Sequence, residues 1–353
     1  METNLKNSGH RPFGRTGLAV PTIIYGTSFL GNLYQELPES VKLELMQEWF
    51  NVSATAPMID CAGKYGAGLA LEVIGNGLNQ LGIEKDNILI SNKLGWYRVP
   101  LTTDEPTFEP GAWVNLSYDA VQKISYKGIL DCWAQGCELL GGYYKPQLVS
   151  VHDPDEYLLA AADRADRTKR LHDILGAYRA LFELKEKGEV KAVGIGAKEW
   201  LTIRELYHYV PFDWVMFANK LTIYHHPPEI IEFIERLDKD GVGIINSAIF
   251  NAGFLTGGDF FDYRKIDPSS PCDQKLLNWR ARFCAVCDQF RVAPGDACLK
   301  FALAMPQVSA VALNPSKPER IKRNLEVLDA DLPLGFWAEM KNQGMVDEHF
   351  KYL

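Results

Sequence analysis

Eight times along 353 residues a short, β-branched apolar run is followed by a longer amphipathic stretch, and no other feature limits the fold of this chain so tightly. The runs are PTIIYGT, APMIDCA, NILISNKLG, PQLVSVHDP, KAVGIGA, DWVMFAN, GVGIINSAI and VSAVALN. They read as buried parallel strands. The stretches between them, among them ESVKLELMQEWF, GLALEVIGNGLNQL and DAVQKISYKGILDCWAQGCELL, carry helical spacing. Unbroken strand-helix units in this number are what a closed (β/α)8 barrel requires, whereas a doubly wound sheet shows fewer strands and a glycine-rich first turn. The expectation is therefore an α/β chain forming one (β/α)8 TIM barrel domain over residues 1–353. An N-terminal β-hairpin around Arg15-Thr16-Gly17, in RPFGRTGLAVP, closes its floor.

In such a barrel the loops that follow the strands gather on one rim, where active sites are built. Three of them, 96–115, 153–169 and 251–273, exceed the ~2 to 6 residues usual for these units and read as pocket walls or lids. The end of the chain, with Phe336, Trp337 and Met340 at helical spacing, reads as a packed terminal helix.

A net charge of −8 argues against a nucleic-acid partner, which needs clustered Lys and Arg. No run of about 18 apolar residues offers a membrane span, and the start METNLKNSGHRPFGR lacks the pattern of a secretory signal. A cytoplasmic chain is expected. Seven cysteines without a framework fit reduced thiols. Cys284 and Cys287 could form half of a zinc site, but no second pair follows and their surroundings are helical, so no metal is expected.

The middle of a barrel strand is lined by packed side chains, so ionisable residues at strand ends are the informative exceptions. Asp60, Lys93 and His152 end the second, third and fourth runs, and Tyr65 follows Asp60 in DCAGKYG. An ammonium beside a phenol favours the phenolate, which lets Tyr65 next to Lys93 exchange a proton nearer neutrality. Asp60 would orient Lys93, and His152 would donate a hydrogen bond to a substrate oxygen. Singly, each residue has a plainer reading as a cap or as packing. Four fitting residue types on three consecutive strand ends carry the case.

Phe13-Gly14-Arg15-Thr16-Gly17-Leu18, Ile59-Asp60-Cys61-Ala62-Gly63-Lys64-Tyr65-Gly66, Ser91-Asn92-Lys93 and Val151-His152-Asp153 resemble the aldo-keto reductase superfamily from end to end. With Asn219-Lys220-Leu221-Thr222 and 251–257, NAGFLTG, the chain looks most like the branch of aldose (L-fucose or D-threo-aldose) 1-dehydrogenases and pyridoxal 4-dehydrogenases. The resemblance places that family's Asp, Tyr, Lys and His tetrad on Asp60, Tyr65, Lys93 and His152. It also implies NAD or NADP, held without a Rossmann fingerprint. The matching positions are Asn314, Ser316, Arg320 and Asn324 at the adenosine end and Ser247, Gly253, Leu255 and Thr256 at the pyrophosphate, while at the carboxamide either Asn219 takes the contact or the contact is altered. Read without the resemblance, the Ser316 to Arg320 stretch is an ordinary capped helix start.

Two departures stand out. Many NADPH-dependent relatives carry Lys where this chain has Asn314, and losing that cation favours NAD. The Ser-Asn pair that holds the carboxamide in many relatives is here Gly196-Ala197-Lys198. Trp96, Tyr97, Trp113 and Tyr224 offer aromatic surface to a sugar or a flat ring, with packing as the equal alternative. His225-His226 read as rim residues, since adjacent imidazoles rarely converge on one ion.

The leading expectation is hydride transfer at a carbonyl or hemiacetal carbon of a small molecule, in the form of aldose oxidation at C1 to the lactone. Alternatives are a pyridoxal or aldehyde oxidoreductase, a cofactor-binding regulatory module with little turnover, and a Schiff-base enzyme working through Lys93. Monomer and homo-oligomer both stay open.

Overall fold

The computed structural model describes residues 9–353 apart from Ala54 and Tyr263; the polar start of the chain, residues 1–8, lies outside the described residues. Eight parallel strands close into a barrel. We number them β1 (Ile23–Gly26), β2 (Met58–Ala62), β3 (Leu89–Leu94), β4 (Leu148–His152), β5 (Ala192–Ala197), β6 (Trp214–Ala218), β7 (Gly243–Ser247) and β8 (Ala310–Leu313). Each pairs with its sequence neighbours, and β8 pairs with β1 to complete the circle.

Strand alternation divides the core in two. Ile24, Met58, Leu148, Ala192, Trp214, Ile245 and Ala310 form one buried cluster inside the barrel. The intervening Ile59, Val149, Ile195, Val215 and Ile244 belong to the clusters packed against the outer helices. The antiparallel hairpin of His10–Pro12 and Ala19–Pro21 lies at the N-terminal end, where Phe13 enters the inner cluster against Trp214 with ring centroids 6.3 Å apart. Gly14 there has φ +53°, and a Cβ on it would meet Gly241 O at 2.4 Å. Only glycine permits so close an approach in the left-handed region.

The helices are α1 (Glu39–Val52), α2 (Leu69–Gln80), α3 (Tyr126–Leu139), α4 (Pro154–Leu159), α5 (Arg164–Glu186), α6 (Trp200–Tyr207), α7 (Pro228–Lys239), α8 (Pro271–Phe290), α9 (Pro294–Ala302), α10 (Pro318–Asp329) and α11 (Phe336–Asn342). The last is the terminal helix, with Phe336 and Met340 buried.

The three long connections are more ordered than loops. After β3, Trp96–Pro100 pairs with Tyr118–Gln122 as an antiparallel hairpin, so 119–122, read above as the start of a helix, is strand. After β4, α4 and the first turn of α5 occupy most of 153–169. After β7, a short 3-10 turn at Phe254–Thr256 leads into two paired two-residue strands.

Candidate active site

The alternation that buries Met58 inside the barrel brings Asp60 to the same face two residues later, nearer the C-terminal rim. In the same way β3 presents Ser91 and then Lys93, and β4 presents Ser150 and then His152. Asp60 stands beside Ser91 in the sheet, Lys93 beside Ser150, and His152 beside Gly196.

Lys93 and Asp60 form a buried ion pair, and the Lys93 ammonium also donates to Cys61 O at 3.3 Å. Asp60 is held from two more directions. Ser91 Oγ donates to its Oδ1 at 3.1 Å, and Thr27 Oγ1 donates to its backbone oxygen at 3.0 Å. Lys93 Nζ lies 4.9 Å from the centre of the Tyr65 ring. The His152 ring meets Tyr65 edge to face, with centroids 5.8 Å apart and planes at 86°. Trp113 packs on Tyr65 at 6.0 Å. The four strand-end residues named from sequence are thus one cluster. A neutral His152 fits it: burial, aided by the cations Lys93, Lys64 and Lys198 against the opposing Asp153 carboxylate, holds the imidazole well below its ordinary value.

Gly196, the departure on β5, has a physical reason. A Cβ there would press on Lys93 Cδ at 3.0 Å. Lys198, two residues on, turns to Glu156.

Sequence reasoning missed a second charge cluster. The buried Lys64 ammonium lies 2.6 Å from Glu109, 3.0 Å from Asp153 and 3.3 Å from Glu156, and 4.9 Å from the Trp96 ring centre. Burial opposes its charge, but these carboxylates outweigh that and raise it above the ordinary ammonium value. Asp153 is likewise buried, and the Lys64 and Lys198 cations overcome burial to keep it below the usual carboxylate range. The only sequence signal was position: Lys64 precedes Tyr65 and Asp153 follows His152.

Of the aromatic residues, Trp96 shares a buried cluster with Phe108, Trp113 and Tyr65. Tyr97, next along the hairpin, faces the other way, 3.6 Å beneath Lys123 and against the outer core. Tyr224 packs with Phe261 and Trp279 in a separate group. His226 ties down the end of the chain, its Nε2 accepting from Asp347 N at 3.1 Å.

Around the other half of the rim lie the positions expected to hold a cofactor. Asn219 follows β6 at φ +61°, and its buried Oδ1 finds no hydrogen-bond partner among the described residues. Ser247 Oγ donates to Phe217 O at 2.9 Å. The turn after β7 places Ala248, Asn251, Ala252, Gly253 and Gly257 at positive φ, and the amides of Phe254 and Thr256 donate within it, to Asn251 O and Gly253 O. Leu255 is fully buried there, its amide donating to Phe250 O at 3.1 Å, while Thr256 is exposed. Asn314 Nδ2 donates to Ser28 Oγ at 2.5 Å, and its Oδ1 finds no partner among the described residues. Helix α10 starts with Pro318, and its N-cap, Lys317, makes no side-chain capping bond, so the ordinary capped start read from sequence is not what forms. Ser316 and Asn324 are half-buried beside it and Arg320 is exposed.

The sequence model of the Aldo/keto reductase family matches residues 22–343. Among curated proteins, a pyridoxal 4-dehydrogenase of Microbacterium luteolum is 26% identical over 97% of this chain and 99% of its own length. A D-threo-aldose 1-dehydrogenase of a Pseudomonas species is 24% identical over 94% and 96%. Among solved structures, a glycerol dehydrogenase from Gluconobacter oxydans is 15% identical with a TM-score of 0.68, covering 95% of this chain and 94% of that one. The holo form of an aldo-keto reductase from Bacillus halodurans is 19% identical with a TM-score of 0.66, covering 96% of each.

Proposed function

This chain belongs to the aldo/keto reductase family and is an oxidoreductase acting on CH–OH or carbonyl groups, and from that premise we propose that it oxidises an aldose at C1 to the lactone with a nicotinamide cofactor. The observation that carries the proposal is the cluster of Tyr65 with the Lys93–Asp60 pair and His152 at one point of the rim. A nicotinamide held on this rim would supply the hydride acceptor, so that C1 could give up its hydrogen as hydride and its hydroxyl proton to a base, and the oxygen would become the lactone carbonyl. Tyr65 receives that proton, in a phenolate form favoured by the neighbouring ammonium. Asp60 keeps Lys93 aimed, and His152 orients the substrate oxygen. The aromatic wall of Trp96 and Trp113 covers the sugar face.

The half-rim from Asn219 to Asn324 suits a dinucleotide. We assign the carboxamide to the side chain of Asn219, whose oxygen finds no partner among the described residues, the flanks of the pyrophosphate to Ser247 and the backbone of 253–256, and the adenosine end to Asn314, Ser316, Arg320 and Asn324. NAD is preferred, because Asn314 offers no charge to a 2'-phosphate. A second reading, oxidation of pyridoxal, is favoured by the likeness to the Microbacterium protein and by the flat aromatic wall.

The test is a panel of aldoses, pyridoxal and simple aldehydes with each of NAD and NADP, followed by nicotinamide absorbance. Turnover of aldoses supports the proposal, and turnover of pyridoxal alone selects the second reading. Cofactor binding with no turnover across the panel overturns both.

A further inference from the structure

His152 has a neighbour on its own backbone whose place in the site is unexplained by the tetrad. Asp153 adopts φ +49° and ψ +50°, in the left-handed region that non-glycine residues seldom enter, and its amide donates to Gly196 O at 3.1 Å. This conformation brings Asp153 Oδ2 to 3.5 Å from His152 Nε2. Lys64 Nζ donates to that same oxygen at 3.0 Å. At the other side of the ring, His152 Nδ1 is buried and finds no hydrogen-bond partner among the described residues.

These contacts discriminate between the two neutral imidazoles. A proton on Nδ1 would leave a buried N–H with no acceptor and turn the Nε2 lone pair toward a carboxylate. Both are unfavourable, and a buried orphan donor is the rarer and costlier of buried polar defects. A proton on Nε2 instead points N–H at the carboxylate and leaves Nδ1 with only an unused lone pair. The separation of 3.5 Å exceeds that of a full N–H···O bond, so this N–H is biased and yet free to turn to a closer acceptor.

We infer that Asp153, held in place by Lys64, is a positioning residue that keeps neutral His152 protonated on Nε2, so that the imidazole meets the substrate oxygen as a hydrogen-bond donor. The inference rests on the proposed function for what the donor acts upon, and on the contacts alone for the tautomer. Lys64 also joins the two halves of the site: it precedes Tyr65 in the chain and its ion pair reaches the residue after His152.

The experiment is long-range 1H–15N correlation NMR of the histidine rings in the full chain, with His152 assigned by its loss in His152→Gln. The expected wild-type pattern is a neutral ring protonated on Nε2. Asp153→Asn should move that pattern toward the Nδ1-protonated form. Where turnover is measured, it should lower kcat about ten-fold, a fraction of the loss seen when an orienting donor is removed outright, with the cofactor Kd unchanged. Lys64→Gln should shift the ring in the same direction by less, and serves if Asp153→Asn does not fold, since Glu109 and Glu156 keep water access when Lys64 is lost. A wild-type ring protonated on Nδ1, or an identical ring pattern in a folded Asp153 or Lys64 variant, overturns the inference. An inactive wild type with Nε2 protonated would overturn the proposed function and leave the tautomer assignment supported.

Discussion

Tyr65→Phe deletes a hydroxyl and leaves a ring that still fits against Trp113, His152 and the Lys93 ammonium. Turnover should fall by roughly two to four orders of magnitude, the usual contribution of general acid–base catalysis, with Tm and cofactor Kd near wild type. A kcat close to wild type would remove Tyr65 from the proposed role. Lys93 is a poorer probe of the same pairing, because losing it would strand buried Asp60 at a cost of about 3–5 kcal/mol. At the cofactor end, Asn314→Lys should shift the ratio of kcat/KM toward NADP by about ten-fold if the new cation contributes ~1.4 kcal/mol. That shift should fade in high salt, since the start of α10 is open to water. A wild type that strongly prefers NADP would place the phosphate on other groups, with Lys317 and Lys322 nearest in sequence. Arg323 already pairs with Asp296.

Between elements, α4 meets the start of α6 through Asp155, whose carboxylate accepts from Lys198 N at 3.1 Å and Glu199 N at 2.8 Å. Burial, then the Asp153 charge, pushes this carboxyl from 3.8 up to about 6. Its folded-state proton is therefore held more tightly than in the unfolded chain, and the stability this gives is present below pH 3.8 and lost as pH rises toward 6. Asp155→Asn keeps an accepting oxygen without the charge. Thermal melts should find it more stable than wild type at pH 7.5, by on the order of 1–3 kcal/mol, with the gap closing toward pH 4. Equal gaps at both pH values would disprove the account. The element scale also separates what was readable from what was not. The barrel strands were legible because strands covered on both faces are continuously apolar. The hairpin segment 119–122 was not, because its apolar residues ran on into the spacing of α3, and only pairing with Trp96–Pro100 makes it a strand.

For the molecule as a whole, the proposed cofactor groove draws on segments after β6, β7 and β8 and on Asn314, which is bonded to Ser28 after β1. A ligand contacting so many separate units binds the folded chain and not the unfolded one. At 100 times its Kd, NAD should add about 2.7 kcal/mol to the free energy of unfolding, raising Tm in a concentration-dependent way. No change in Tm at saturating NAD or NADP would remove the groove assignment.

The order of strands and the residue types at their ends belong to the sequence alone. In a parallel barrel every strand finishes on the same rim, and period-two alternation carries Asp60, Lys93 and His152 to the inner face, so a cluster of those three follows from the reading frame of the strands. Partner choice does not follow from it. Lys64 and Asp153 are separated by 89 residues and lie in different rim loops, and the same charges could have met water or other partners. Their pairing, like the turn of Tyr97 away from Trp96, is set by how those loops cross in space. Side-chain contacts over such separations depend on the packed geometry of several elements at once, and that geometry exists only in the folded chain.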